Sequence, residues 1–312
     1  MHPTSTPGRR PAGLRSVRPR PSLRLGGAAA LLGLCAALVT GAPPALAEAP
    51  AAVTPPVVTA DQVMPHLEAL QRIADRNGGN RAHGTQGYRE SVAHVKAALD
   101  AAGFRTALHR FTHDGTTGHN LVADWPGGDP EHVVFAGAHL DSVEAGPGIN
   151  DNGSGSAALL ATALEVAKSD LAPDRHLRFA WWGAEEAGMV GSSAYVGDLS
   201  AAERDRIDVY LNMDMAGTKG DPKWLVVEDD PAAAEAFNGY FAARNLSTIG
   251  IGIGGSDHVS FGDAGIPVGG FATGLDDCYH QACDRIENVD PATETTSTNA
   301  FISTVWQLAA GS

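Results

Sequence analysis

The sequence predicts one α/β domain of three layers, with helices on both faces of a mixed sheet that is parallel at its centre. Three observations lead there. From residue 132 onward, apolar strand-like runs alternate with helical stretches. Runs such as Val133-Val134-Phe135-Ala136 lack the apolar/polar alternation of a half-exposed sheet, so both faces are covered. No shift of composition and no internal repeat divides the chain after its leader.

Residues 1–47 read as a secretory signal peptide rather than as part of the fold. Arg9, Arg10, Arg15, Arg18, Arg20 and Arg24 precede the apolar run Leu25 to Val39, and Ala45-Leu46-Ala47 offers a small-residue cleavage site. Residues 48–59 are an Ala/Pro-rich mature N-terminus or short pro-segment, and residues 60–312 form the domain. The chain has 22 basic and 36 acidic residues, and the leader removes arginines only. A surface this acidic repels phosphate backbones and anionic lipid, which excludes nucleic acid and a stable membrane surface as partners.

The elements follow in order. Apolar residues at Val63, Leu67, Leu70 and Ile73 predict a helix from Asp61 to Arg76, capped by Thr59 or Asp61; a second helix runs from Tyr88 to Ala102. Phe104 to Phe111 and His119 to Asp124 read as strands around a Gly115–Gly118 turn. Strands are expected at His132–Ala138, Leu177–Trp182, Val209–Met213, Leu225–Val227 and Pro267–Phe271. Helices are expected at Gly155–Lys168, Glu186–Asp198, Ala232–Ala243, Ser256–Asp263 and Thr293–Leu308. In such sheets a site forms beyond the carboxyl ends of the strands.

Chemistry-bearing residues collect at those ends. His139 and Asp141 follow one strand, with Asp151 in the glycine-rich loop beyond it. Glu185 and Glu186 follow a second strand, Asp214 follows a third, and His280 lies between Cys278 and Cys283. Each has a plainer reading: Asp141 capping a turn, Asp151 capping a helix, and Glu185-Glu186 as first-turn acids. Taken together, carboxylates gathered at one sheet edge repel one another unless a cation sits among them, which favours a metal site. His66, His83, His94, His109, His113, His119, His132 and His176 fall on helices, turns or strand starts; His258 stands apart beside Asp257 near a helix start, with lining the site as its alternative reading. Cys278 and Cys283 read as a disulfide, with a free pair or zinc thiolates as alternatives.

At this point the residues match a family. The stretches Asn77-Gly78-Gly79-Asn80-Arg81-Ala82-His83-Gly84, His139-Leu140-Asp141-Ser142, Gly148-Ile149-Asn150-Asp151-Asn152-Gly153, Trp182-Gly183-Ala184-Glu185-Glu186, Asn212-Met213-Asp214-Met215 and Cys278-Tyr279-His280 occur in this order. With them the chain resembles the secreted bacterial di-zinc leucine aminopeptidases, the aminopeptidase Y-like co-catalytic zinc peptidases, over nearly all of residues 60–310. The resemblance implies two zinc ions per chain. One would be held by His139 and Asp214, the other by Glu186 and His280, with Asp151 bridging and a water shared between them. Glu185 would be the general base, Asp141 would orient His139, and Tyr279 would stabilise the oxyanion. The substrate would be a peptide N-terminus with a large apolar, leucine-like first residue, and Met215, Phe271 and Ala272 would line its pocket. The enzyme is expected to be an extracellular monomer.

The chain departs from some of these relatives in three places. Gly255 stands where they carry an Arg, the stretch between Gly270 and Cys278 is shorter, and Thr295 and Asn299 replace acids, so calcium is not expected. Three rivals are a one-zinc glutaminyl-cyclase-like acyl transferase, a carboxypeptidase, which should carry an inserted lid domain, and an inactive binding module, which should lack a ligand or the base.

Overall fold

The apolar patterns become eight helices and eight strands in the computed structural model, which describes residues 54–169 and 171–310. The helices are α1 (Ala60–Arg76), α2 (Gln86–Ala101), α3 (Gly155–Lys168), α4 (Val190–Asp198), α5 (Ala201–Arg204), α6 (Pro231–Ala242), α7 (His258–Gly262) and α8 (Pro291–Ala309). The strands are β1 (Arg105–His113), β2 (Thr116–Asp124), β3 (Asp129–His139), β4 (Arg175–Trp182), β5 (Ile207–Met213), β6 (Trp224–Val227), β7 (Thr248–Ile251) and β8 (Val268–Ala272). They form one sheet in the order β1-β2-β4-β3-β5-β8-β6-β7. Its centre, β4-β3-β5-β8, is parallel; β1 and β2 join antiparallel at one side, and β6 runs antiparallel to β8. The expected leader lies outside the described residues. Among those described, no helix is long and apolar enough to cross a membrane.

Alternate side chains of the central strands feed two cores, as the pleat requires. Val134, Phe179 and Trp181 point to one face, where they join Leu67 of α1, Leu99 of α2, Leu159 of α3, Phe237 of α6 and Phe301 of α8. Phe135, Trp182 and Tyr210 point to the other, with Tyr195 of α4 and Phe261 of α7. This second core is largely aromatic: Tyr210 and Phe261 stack at 3.7 Å, and Phe135 meets Phe261 edge-on at 5.4 Å.

Most expected elements are present, with local differences. The hairpin turn is Asp114-Gly115, both at positive φ (46° and 75°), the two-residue geometry that matches strand twist. The strands therefore run closer to the turn than expected. The helix expected from Glu186 begins only at Val190. Ala184 and Met189 are left-handed (φ 56° and 57°), and the main-chain N–H groups of Glu185 and Glu186 donate to Asp141 instead of following a helical path. Helix α5 and strand β7 are additional. The first is a single turn closed by Ser200 and Glu203 capping each other; the second is a short edge strand.

Register fixes where the site lies. His139 at the end of β3 pairs with Trp182 at the end of β4, and Met213 at the end of β5 pairs with Phe271 near the end of β8. Four parallel strands thus stop along one edge, and the residues that follow them share a crevice.

Candidate metal centre

The crevice gathers the candidate ligands from five segments. Strand β3 delivers His139, and Asp214 lies one residue beyond β5. The irregular helical segment Ile149–Ser154 carries Asp151, and the loop after β4 carries Glu185 and Glu186. The loop closed by the Cys278–Cys283 disulfide carries Tyr279 and His280. Two groups form whose ligand atoms lie within 4.8 Å of one another: His139, Asp151 and Asp214, and Asp151, Glu186 and His280.

Asp151 belongs to both groups and divides its oxygens between them. Its Oδ1 is 3.2 Å from His139 Nε2 and its Oδ2 is 3.1 Å from His280 Nε2. Asp214 Oδ1 lies 3.5 Å from His139 Nε2, Glu186 Oε2 lies 2.9 Å from His280 Nε2, and Glu185 Oε2 lies 3.8 Å from His139 Nε2. His139 Nε2, Asp214 Oδ1 and Glu186 Oε1 are buried atoms without a hydrogen-bond partner. Buried imidazole and carboxylate atoms without hydrogen-bond partners, gathered in one acidic crevice, fit a cation held among them. Imidazole and carboxylate together suit zinc.

Electrostatics agree with that fit. Burial, reinforced by Asp257, Asp214 and Asp141 against the pull of His139, pushes Glu185 up to about 9. Burial, with Asp151 and Asp141 adding to it and His139 opposing, raises Glu186 to about 8. Burial would lower His139, but Asp214 and Glu185 outweigh it and hold the imidazole well above its usual range. A divalent cation among these groups reverses the logic, because it favours every carboxylate in its ionised form.

Asp141 has a double contact. His139 Nδ1 lies 3.3 Å from the Asp141 main-chain oxygen and 3.6 Å from its carboxylate. A proton on Nδ1 bonds that oxygen and leaves Nε2 unprotonated, facing the crevice. The Asp141 carboxylate meanwhile accepts the N–H groups of Glu185 at 3.1 Å and Glu186 at 3.4 Å. The resemblance implies an Asp141 carboxylate orienting His139; here the hydrogen bond comes from its main-chain oxygen, and the carboxylate is engaged by the two amides. Tyr279 is 36% exposed and stacks on His280 with ring centres 3.8 Å apart. Burial, then Asp151 and Glu186, pushes its phenol up to about 12, so the hydroxyl keeps its proton.

Beside these groups opens a cavity of about 390 Å³. Met215, Phe271 and Ala272 line it, as do Leu225, Val227 and Ile251, which the sequence had not marked. His258 also reaches the cavity wall, and its Nε2 accepts the Gly254 N–H at 3.2 Å. Leu275, 70% exposed, stands at the rim.

Three further residues hold the framework. Arg81, fully buried, donates from Nε to Pro147 O at 2.9 Å, from Nη2 to Gly148 O at 2.5 Å and from Nη1 to Leu140 O. Its backbone N–H bonds Ser142 Oγ at 2.9 Å. One guanidinium thus folds the loop that joins His139 to Asp151. Asn120 accepts the Gly183 N–H at 3.1 Å and donates to Gly191 O at 2.8 Å, closing the loop of Glu185 and Glu186 from both ends. Asp284 accepts the main-chain amides of Asn150 and Asp151. Arg81 lay within a matched stretch and Asp284 directly follows Cys283, and those neighbours were the only signals available.

Comparison with known proteins accords with this geometry. A profile of peptidase family M28 matches residues 120–305. Leupeptin-inactivating enzyme 1 of Streptomyces exfoliatus is 47% identical over 304 residues, covering 90% of this chain and 69% of that protein. An aminopeptidase of Pseudomonas aeruginosa is 41% identical over 207 residues, covering 56% of this chain and 38% of its own length. The chain therefore spans about two-thirds of the first relative and well under half of the second. The structure of a zinc aminopeptidase from Bacillus subtilis superposes with TM-score 0.74 at 17% identity, over 81% of this chain and 96% of that one, a likeness of fold.

Proposed function

The chain belongs to peptidase family M28 and is a zinc-dependent aminopeptidase, a metallo-exopeptidase; from that premise we propose that it removes a leucine-like N-terminal residue from peptides with two zinc ions. His139 and Asp214 would hold one ion, Glu186 and His280 would hold the other, and Asp151, which belongs to both groups, would serve each. The observation that carries this reading is the division of Asp151, one oxygen toward each histidine, with orphaned ligand atoms on either side.

When bound, zinc supplies Lewis acidity at the scissile carbonyl and the positive charge that the surrounding carboxylates lack. The chain supplies the rest. Glu185 takes the proton from the attacking water and returns it to the leaving amine. Asp141 fixes that base by holding its N–H, and the same residue orients His139. The Tyr279 hydroxyl donates to the oxygen on which charge develops. The carboxylates of Glu185 and Asp214 receive the free ammonium of the substrate, which restricts cleavage to the first residue. Met215, Phe271, Leu225 and Val227 supply apolar walls for its side chain, and each methylene buried there contributes roughly 0.8 kcal/mol. We further assign residues 1–47 to a cleaved leader that directs the enzyme out of the cell, residues 48–59 to a short mature or pro-segment, and residues 60–312 to one peptidase domain acting as a monomer.

Glu185→Gln tests the mechanism. The variant is expected to bind zinc as the parent does and to lose at least 100-fold in kcat, in line with the roughly 10²–10⁴-fold that general acid–base catalysis contributes. Retained kcat with full zinc removes Glu185 from the role of base. Hydrolysis of an N-blocked peptide at a comparable rate refutes the exopeptidase assignment.

A further inference from the structure

Asp284 is 2% exposed and lies four residues beyond His280, immediately after Cys283. Its carboxylate reaches across to the Asp151 segment. Oδ1 accepts the Asn150 N–H at 2.8 Å and Oδ2 accepts the Asp151 N–H at 2.9 Å. Its main-chain oxygen accepts the Ile149 N–H at 3.1 Å. One residue therefore holds three consecutive amides at the start of a helical segment, where main-chain donors have no partner within the segment. Asn288 Nδ2, 3.3 Å from Asp284 Oδ1, orients the carboxylate. The two loops also touch at Gly146, where a Cβ would fall 2.4 Å from Gln281 O.

We infer that Asp284 is a positioning residue that sets the spacing between Asp151 and His280, and so controls metal affinity in the Asp151/Glu186/His280 half of the centre selectively. The inference rests on the two-metal reading above. Its selectivity comes from how differently the two halves are built. His139 ends β3 and Asp214 follows β5, so the other half stands on central strands that Asp284 does not touch. Asp151 itself has neighbours with independent anchors. Asn150 Oδ1 accepts the Gly217 N–H, Asn152 Oδ1 accepts the N–H groups of Gly155 and Met215, and Ser154 Oγ donates to Asn150 O. His280 has no strand beneath it. It adopts a left-handed backbone (φ 57°), a conformation that a residue with a Cβ holds only under constraint from its surroundings. The disulfide closes its loop; Asp284, directly after that loop, holds the main chain of Asn150 and Asp151, and Asp276, before it, accepts the Asn150 side-chain amide at 2.7 Å.

The test is Asp284→Asn in the full chain, with Asn288→Ala as a milder variant that removes the amide donor from Asp284 Oδ1 and from its second acceptor, Asp276 Oδ2, while leaving both carboxylates in place. Zinc is titrated against a chromogenic chelator, and the melting temperature of the zinc-free proteins is followed alongside. The parent is expected to hold two zinc ions. Asp284→Asn should weaken one of them by about 10–100-fold, the range for residues that orient metal ligands, and leave the other within about threefold. Asn288→Ala should weaken the same ion by less. Two ions retained at parental affinity, or both weakened equally, overturns the selective role of Asp284 while the two-metal reading stands. If Asp284→Asn is unfolded without zinc, Asn288→Ala decides by the same criterion. A parent that binds one zinc overturns the two-metal reading and this inference with it.

Discussion

Replacing Arg81 by Met removes a guanidinium from the centre of the His139–Asp151 loop while keeping much of its volume. Three hydrogen bonds are lost: the carbonyls of Leu140 and Pro147 are left without a donor, and that of Gly148 keeps the Gly153 N–H. Hydrogen bonds to a charged group contribute about 1.5–3 kcal/mol each, which suggests a gross loss of roughly 4–9 kcal/mol. Against this stands the cost of keeping the cation out of water, several kcal/mol per buried ion. That cost is visible in Arg81 itself: burial draws its pKa down to about 10 although Asp141, Asp284, Glu186 and Asp151 all pull the other way. The net destabilisation expected is about 3 kcal/mol, or roughly 6–12 °C in Tm for a domain of this size. The assay is urea unfolding of the zinc-free parent and variant, compared at their midpoints and slopes. A midpoint within the error of the parent, with the same slope, refutes the view that Arg81 organises this loop.

Two further outcomes follow from the same physics. His66 is lowered to about 4, by burial first and then by neighbouring His94, so the folded chain keeps it neutral while the unfolded chain protonates near 6.5. Its contribution to stability is complete above about 6.5 and is lost as pH falls from there toward 4; nuclear magnetic resonance titration of its ring should show no protonation at pH 5.5, and a midpoint near 6.5 refutes the argument. Removing metal with a chelator should lower the melting temperature and speed amide hydrogen exchange most in residues 146–151 and 276–288, the segments whose ligands face each other across His280 and Asp151; uniform exchange across the sheet would contradict this.

How far the sequence could be read depends on whether the deciding interactions are local. The helix Gly155–Lys168 was read to the residue, because small apolar residues over four turns after a glycine-rich loop leave little choice. The paired strand ends were also legible, since uninterrupted apolar runs define them. The start of α4 was not. Glu185-Glu186 look like first-turn acids, and only Asp141, more than forty residues earlier, draws their amides out of a helix. Strand β7, Thr-Ile-Gly-Ile at the sheet edge, is too short and too exposed to announce itself. The candidate ligands were legible as side-chain types, and the structure brings all of them to one crevice. Arg81, Asn120 and Asp284 were not, because each acts on main-chain groups, which look the same in every sequence.

The glycines divide the molecule into parts with different freedom to evolve. Around the ligands there is no room for a side chain: a Cβ on Gly148 would lie 2.3 Å from Asp151 O, on Gly155 2.3 Å from Asn152 Oδ1, and on Gly183 2.2 Å from Tyr88 Oη. Along the cavity rim, Gly255 has nothing within 4 Å of that position, and Leu275 projects into solvent. Single substitutions on the rim can therefore reshape what the cavity admits without moving a ligand. Tolerance to a new side chain is thus greatest at the cavity rim and least around the candidate ligands, so variants of this fold can differ in what the cavity admits while the crevice keeps its shape.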